Sequence, residues 1–363
     1  MKLGLFLMPS HPPERSPYDA TQWDLEMIQY ADALGYQEAW IGEHFTAPWE
    51  PIPAPDLMIA QALLSTKQIK LAPGAHLLPY HHPVELAHRV AYLDHLSQGR
   101  LMLGVGAGGL LSDHATFGVD GKSGENRVMM KEALEIILKL WNEKEPFQFE
   151  GAYWNANKIE EGTHASYHMY PYQQPHPPIS VTGLSPGSET LIMAGEKGFI
   201  PMSLGANIEY IASHWKSVEE GAKRSGKTPK RSDWRITRDV FVADTDEEAI
   251  EGSLGSMMGR QHTEYWIPLF ESFRAVSVFK HEESVDDSEI NTEYVAKHNW
   301  FVGSPETVAN RIANLYERVG GFGALLVTAY DYSETPEVWK KSMRLLKEEV
   351  LPRVERKLSK INV

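Results

Sequence analysis

The sequence predicts one (β/α)8 TIM barrel, and three observations carry that expectation. Eight short β-rich runs are spread along the chain, segments with helical period separate them, and the whole has 363 residues. Strands that alternate with helices pair in parallel, because a parallel pair needs a crossover. Such barrels span ~200 to over 400 residues as one unit, so the length does not demand two domains. A doubly wound open sheet is the rival on strand counting alone.

The candidate strands are Leu3–Met8, Glu38–Glu43, Ile69–Pro73, Leu101–Val105, Ile179–Thr182, Phe199–Ser203, Arg235–Ala243 and Ala324–Thr328. The first opens onto a Pro-rich stretch from Met8 to Pro17, a loop by composition and part of a barrel mouth by position. Trp23, Met27, Tyr30, Ala31 and Leu34 then form a helical stripe that Gly35 stops. Leu86, Val90 and Leu93 form another, and Met130, Ala133, Leu134, Ile137, Leu140 and Trp141 the longest. Val308, Ile312, Leu315 and Val319 follow Ser304 as N-cap and Pro305 in the first turn, with Gly320 after the end. Trp339, Met343, Leu346 and Val350 make the last stripe. Two stretches break the rhythm. Residues Glu150–Pro178 read as an irregular excursion, and Gly252–Trp300, rich in Met and aromatic residues, reads as an insertion that covers the mouth and moves.

Composition narrows the function. Lys plus Arg is 35 against 49 for Asp plus Glu, a net charge of −14, which argues against general nucleic-acid binding. With no cysteine there is no disulfide, thiolate metal site or Cys nucleophile. No signal-peptide pattern and no long apolar run is present, so a soluble cytoplasmic protein with no membrane partner is expected.

Several motifs fall at strand ends, where a barrel builds its site. Glu43-His44 closes the second strand, and histidine is the natural acid or base near neutral pH; the plainer alternative is an ordinary packed histidine. His76, His81 and His82 suggest a metal cluster, but His82 and His88 lie about 240° apart on a helix and no H-E-x-x-H occurs, so no metal is expected. Gly104 to Gly109 satisfies G-x-G-x-x-G, yet it follows the fourth strand and no helix starts within it, so it reads as a turn letting backbone approach a ligand. Ser185 to Thr190 offers N-caps, or a phosphate cradle at a helix N-terminus.

Together these residues resemble the bacterial luciferase-like flavin monooxygenases over nearly the whole chain. The resemblance rests on Met1 to Leu7 with Pro12-Pro13-Glu14, on Trp40-Ile-Gly-Glu43-His44-Phe45, on Leu78-Pro79-Tyr-His-His82-Pro83-Val84, and on Leu93-Asp94 through Gly99-Arg100. The set Leu71 to His82 looks most like the limonene-monooxygenase branch. The resemblance implies a barrel binding reduced FMN at its mouth, where O2 forms a C4a-hydroperoxide that oxygenates a small apolar organic substrate. It implies His44 as the catalytic residue, and Phe6 and a non-prolyl cis Gly74–Ala75 peptide beside the isoalloxazine. It also places Glu43, Gly106, Gly183, Ser185 and Ser188 around the cofactor, the two serines at the phosphate. A flavin reductase supplying reduced FMN and a homodimer follow from it as well. Ala107 stands where the luciferase α chain has an arginine against the phosphate, so another group must meet that charge, with Arg127 as a candidate, and light emission is not expected. Tyr80, His81, Trp49 and Met8 are candidates for the substrate pocket. A deazaflavin-dependent hydride-transfer enzyme, a non-catalytic flavin-binding protein and a metal-dependent hydrolase are the other readings.

Overall fold

The structure, a computed structural model, describes residues 1–162, 166–205 and 207–361, with side chains omitted at residues 360 and 361. Eight parallel strands close a barrel: β1 (Lys2–Leu7), β2 (Glu38–Ile41), β3 (Lys70–Pro73, continuing as His76–Leu77), β4 (Leu103–Gly106), β5 (Ile179–Gly183), β6 (Ile200–Ser203), β7 (Arg235–Arg238) and β8 (Ala324–Thr328). The two pieces of β3 face different neighbours. The first pairs with β2 and the second with β4, and a bridge from Leu71 to Leu101 completes the ring. All eight expected strands are present, which removes the open-sheet rival.

Strand period explains the layers. Leu3, Leu5 and Leu7 alternate outward into the main core under the helices, while Phe6 points inward with Trp40, Ala72, Met102, Met202 and Leu326. At the level of Gly4 a buried ion pair crosses the interior: Arg235 Nη2 donates to Glu38 Oε1 at 2.6 Å and its Nε to Oε2 at 3.2 Å.

Each strand is followed by a helix: α1 (Pro17–Leu34), α2 (Pro55–Ser65), α3 (Pro83–Ser97), α4 (Glu125–Asn142), α5 (Glu189–Lys197), α6 (Ile208–Ser225), α7 (Pro305–Val319) and α8 (Pro336–Leu345). Ser16 caps α1 by accepting from Asp19 N, and Gly35 ends it with φ 77°. Ser304 holds the N-cap position of α7 without a capping bond. Its amide is instead drawn to Asp246 at 2.6 Å, and its hydroxyl donates to Thr307. The stripe ending at Val350 continues through a π segment, Leu346–Val350, into a helix reaching Ile361. No described helix is long and apolar enough to cross a membrane.

The two irregular stretches sit at opposite ends. The first begins with an antiparallel hairpin, Phe147–Glu150 against Asn155–Lys158, and precedes β5, so it lies at the bottom. There Asp94 accepts from Gln173 N at 2.8 Å and from its Nε2 at 2.7 Å. The second follows β7 at the mouth. The expected long strand there breaks at Asp239, and Val240–Val242 leaves the barrel to pair with Phe301–Gly303. Between them one helical run from Met257 to Ser272 contains a π segment at His262–Trp266. The extra residue of that turn shifts the apolar face, which is why the sequence shows no clean period.

Candidate active site

The mouth holds a cavity of about 320 Å³ that brings Phe6 and Met8 of the first strand and its loop together with His44, Leu184 and the helix carrying Tyr265, Trp266 and Leu269. That volume is at the small end for an organic ligand. Its walls are mostly aliphatic and aromatic.

His44 sits in the loop after β2 with carboxylates on both sides. Its Nε2 is 3.3 Å from Glu50 Oε2 and its Nδ1 3.6 Å from Asp113 Oδ2. Burial works against the imidazolium, but the charges of Glu50, Asp113 and Glu43 outweigh it and raise the pKa. Burial pushes Glu50 up to about 7, and the Tyr265 hydroxyl donates to it at 3.0 Å. Both shifts favour the proton-rich form, so the pair keeps a proton through neutral pH. Asp113 is held low despite its burial by His44 and by Thr46, whose hydroxyl donates at 2.6 Å. The arrangement can deliver or take a proton at the cavity wall.

Glu43, beside it in sequence, turns the other way. Its Oε2 is 2.7 Å from His76 Nδ1, and its Oε1 is 2.8 Å from His81 Nε2 and accepts from Leu77 N at 3.2 Å. Burial opposes the carboxylate, but these bonds hold it down at about 2. The three side chains converge closely enough to surround an ion. Both oxygens of Glu43 already have protein partners, so it holds the second piece of β3, through His76 and Leu77, together with the turn carrying His81.

Phe6, Gly74, Ala75 and Gly106 form a continuous shelf. The Gly74–Ala75 peptide is cis. A Cβ on Gly74 would lie 3.5 Å from the Phe6 ring, and one on Gly106 would lie 3.5 Å from Ala75 Cβ. The glycine-rich turn is a packing device. A Cβ on Gly104 would come within 2.4 Å of the Pro73 carbonyl oxygen, and Gly108 takes φ +76° under Tyr80. Asn126 Nδ2 ties the turn down by donating to the carbonyls of Ala107 and Gly108, both at 3.1 Å.

Gly183 to Ser188 form the cradle before α5. A Cβ on Gly183 would fill it, meeting Leu191 at 2.4 Å and Ser188 Oγ at 2.9 Å, and Gly187 takes φ +64°. The Ser188 hydroxyl caps α5 by accepting from Leu191 N, while Ser185 is exposed. Behind the loop stands a buried relay that sequence reasoning missed. Trp234 Nε1 donates to Ser203 Oγ at 2.8 Å; that oxygen lies 2.9 Å from His214 Nδ1, and His214 Nε2 is 3.1 Å from the Ser185 carbonyl oxygen. A carbonyl only accepts, so Nε2 carries the hydrogen and Nδ1 receives the serine proton. Burial pushes His214 down to about 4, so the relay is neutral. Arg127 is exposed in the first turn of α4. One turn below it Lys131 reaches Glu189 of α5 at 4.0 Å.

Of the four pocket candidates, Met8 lines the cavity. Trp49 stacks behind Tyr265, Tyr80 stacks on Phe117, and His81 is held by Glu43. Glu50, Asp113, Tyr265 and His214 carried no local sequence signal, since each meets its partner across the fold. Arg238 did carry one, as a charge at the end of a strand bound for a barrel interior.

This site on this barrel defines a class of protein. Residues 1–321 match the family described as luciferase-like monooxygenase, and the chain belongs to it. Among its relatives, 2,5-diketocamphane 1,2-monooxygenase 1 of Pseudomonas putida is 35% identical over 362 residues, covering 98% of this chain and 99% of that protein. Limonene 1,2-monooxygenase of Rhodococcus erythropolis is 31% identical over 360 residues, covering 96% and 85%. A solved structure of the oxygenating constituent of 3,6-diketocamphane monooxygenase of P. putida, a type II Baeyer–Villiger monooxygenase in complex with FMN, superposes with a TM-score of 0.92 at 36% identity, covering 98% and 99%.

Proposed function

We propose that this chain is the oxygenase of a two-component FMN-dependent monooxygenase acting on a small apolar organic substrate. The observation that carries the reading is one cavity that joins the proton-holding His44 to the Phe6 shelf and an aromatic cover. When bound, reduced FMN and O2 together supply the oxygenating equivalent. Phe6, Gly74, Ala75 and Gly106 would seat the isoalloxazine. The Gly183–Ser188 cradle, with free amides at the start of α5, would take the phosphate, and Arg127 would meet its charge in place of the family's arginine. Glu43 holds the strand piece that follows Ala75. His44 holds the proton that the reaction exchanges.

The diketocamphane relatives favour a ketone substrate, and a relative that is an oxygenating constituent favours a separate flavin reductase as partner. A homodimer is carried over from the family resemblance, and a cytoplasmic setting from the sequence reading of targeting patterns given above. One domain is proposed, in which residues 252–300 are a mobile cover that excludes water. Protease cutting within 252–300 should fall when FMN and substrate are bound.

Rapid mixing of anaerobic protein and reduced FMN with oxygenated buffer tests the class. A flavin absorbance change that outlasts the reoxidation of free flavin supports it. Reoxidation at the free-flavin rate, with tighter binding of a deazaflavin, would replace it with hydride transfer.

A further inference from the structure

Glu50 receives its two contacts on one oxygen, and they come from different parts of the fold. Oε2 lies 3.3 Å from His44 Nε2, within the same loop after β2. It also accepts from the Tyr265 hydroxyl at 3.0 Å, and Tyr265 belongs to the cover. Oε1 is buried and has no partner among the described residues. Tyr265 is therefore the one group besides His44 that holds Glu50 as a carboxylate by hydrogen bonding. Its ring is firmly seated. It stacks on Trp49 with centroids 6.1 Å apart and planes at 18°, and Ala47, Met257, Trp266 and Leu269 complete the apolar seat. Arg260, on the same helical run, lies 5.4 Å from the Trp49 ring centroid and reaches Glu14 of the loop after β1 at 2.6 Å. The cover thus rests on the loops after β1 and β2, and that rest aims the hydroxyl at Glu50.

The proton of the His44–Glu50 pair has two homes, and they are not equivalent. The His44 side chain is 17% exposed and that of Glu50 1%, so the imidazole is the member that can pass a proton to the cavity. Burial pushes Glu50 up to about 7, which makes the carboxyl a competitor for it. A hydroxyl donating to Oε2 favours the carboxylate, and the carboxylate in turn favours the imidazolium. The other charged groups are accounted for. Asp113 and Glu43 add to the pull on His44, and Asp113 also opposes the charge of Glu50. Arg260, the cation of the cover helix, is paired with Glu14 and Glu264. Burial, Glu50 and Asp113 push the Tyr265 hydroxyl well above its ordinary range, so it keeps its hydrogen and remains a donor.

We propose that Tyr265 is a positioning residue for the proton: with the cover seated, its hydroxyl fixes Glu50 as the carboxylate, so that His44, the member of the pair that faces the cavity, carries the proton. The proton site is then complete only when the mouth is covered. This rests on the monooxygenase reading and adds the residue that couples its cover to its proton.

The test is Y265F, which keeps the ring against Trp49 and removes only the hydroxyl. Its first readout needs no flavin. In the whole chain with isotope-labelled histidine, the His44 signal is assigned by its loss in H44A, and in the wild type it should be that of the imidazolium at neutral pH. In Y265F the affinity of His44 for its proton should fall about tenfold. The infrared band of a protonated carboxyl should appear at the same time and be absent from the Y265F/E50Q double variant. The second readout is turnover of norbornan-2-one with reduced FMN. At neutral pH kcat should fall about tenfold in Y265F with KM within about threefold, and lowering the pH should restore it, because acid returns the proton to His44. A merely distorted site would not be rescued by acid.

Three results would overturn the proposal: a His44 titration unchanged in Y265F, a shifted titration with kcat unaltered across the pH range, or a neutral His44 in the wild type at neutral pH. The last needs no variant to fold. If the wild type binds no FMN, or reduced FMN reoxidises on it at the free-flavin rate, the monooxygenase reading fails. The histidine titration is still read on the flavin-free protein, so the two failures are distinct.

Discussion

His11 Nδ1 lies 2.9 Å from Asp331 Oδ2, joining the loop after β1 to the loop after β8 where neither side chain meets water. Its other nitrogen is 3.0 Å from Asp24, so the imidazole sits between two carboxylates. Burial opposes its charge, but Asp24 and Asp331 outweigh it and raise the pKa to about 9. A raised folded pKa contributes stability that is complete below about 6.5 and is lost as pH rises through about 9. The size is about 3 kcal/mol. Asp331, held down at about 2, contributes stability that is present above about pH 4 and is lost only as pH falls towards 2, outside this range. Urea midpoints measured from pH 6 to 10 should therefore fall, and H11Q should start lower and lose that slope.

The Glu38–Arg235 pair inside the barrel predicts a stability effect of a different kind, set by burial and pairing. Glu38 also accepts from Trp40 Nε1 at 3.1 Å, so its carboxylate is saturated. Removing one partner leaves a buried charge uncompensated, at a cost of about 3–5 kcal/mol. E38Q and R235M should each lower the free energy of unfolding, measured by urea titration, by that amount. The double variant should recover part of it, because no lone charge remains. Equal losses that simply add would show that the two side chains do not act as a pair.

The barrel was legible because strand and helix periods are local. The site was only partly so. His44 and the cradle could be named from their place after a strand, but Glu50, Asp113 and Tyr265 reach His44 through contacts that no spacing encodes. The resemblance itself rests partly on scaffold. In Leu93 to Arg100, Asp94 clamps Gln173, and Arg100 Nη1 donates to Thr66 Oγ1 at 3.0 Å and the Ile69 carbonyl at 3.2 Å. That motif therefore marks how the bottom of the barrel is tied, far from the chemistry. The stretch 252–300 was named as an insertion, but its helical run from Met257 to Ser272 was not read, because the π turn breaks the helical period.

Glu50 predicts the pH dependence of turnover. Its charge is the largest of the influences that raise His44 against burial. E50Q removes it, so His44 should release its proton at lower pH. If the reaction uses protonated His44, the alkaline limb of kcat should move to lower pH in E50Q and in D113N. H44A should keep the Kd for FMN within a few-fold and reduce product per reduced flavin by about 100-fold or more. A histidine-resolved NMR titration alongside the rate profile checks the assignment, and a limb that disappears in E50Q but remains in D113N would make Glu50 itself the titrating acid.

The His214 relay predicts a loss of cofactor affinity without a loss of chemistry. Because His214 is neutral above about pH 4, it serves the Ser185 loop by geometry and not by charge. In H214A the Ser185 carbonyl and the Ser203 hydroxyl each lose a buried partner, at about 1–3 kcal/mol in total strain on the loop. The Kd for FMN should rise about 5- to 100-fold, while kcat at saturating FMN changes little. H214Q restores a donor toward Ser185 and should recover part of the affinity. R127A tests the other side of the cradle through charge: its loss should also raise the Kd, and more so at low salt, since an exposed cation is screened. The two variants thus separate by ionic strength. A salt-independent loss in R127A, or a salt-dependent one in H214A, would reverse the roles assigned to the two residues.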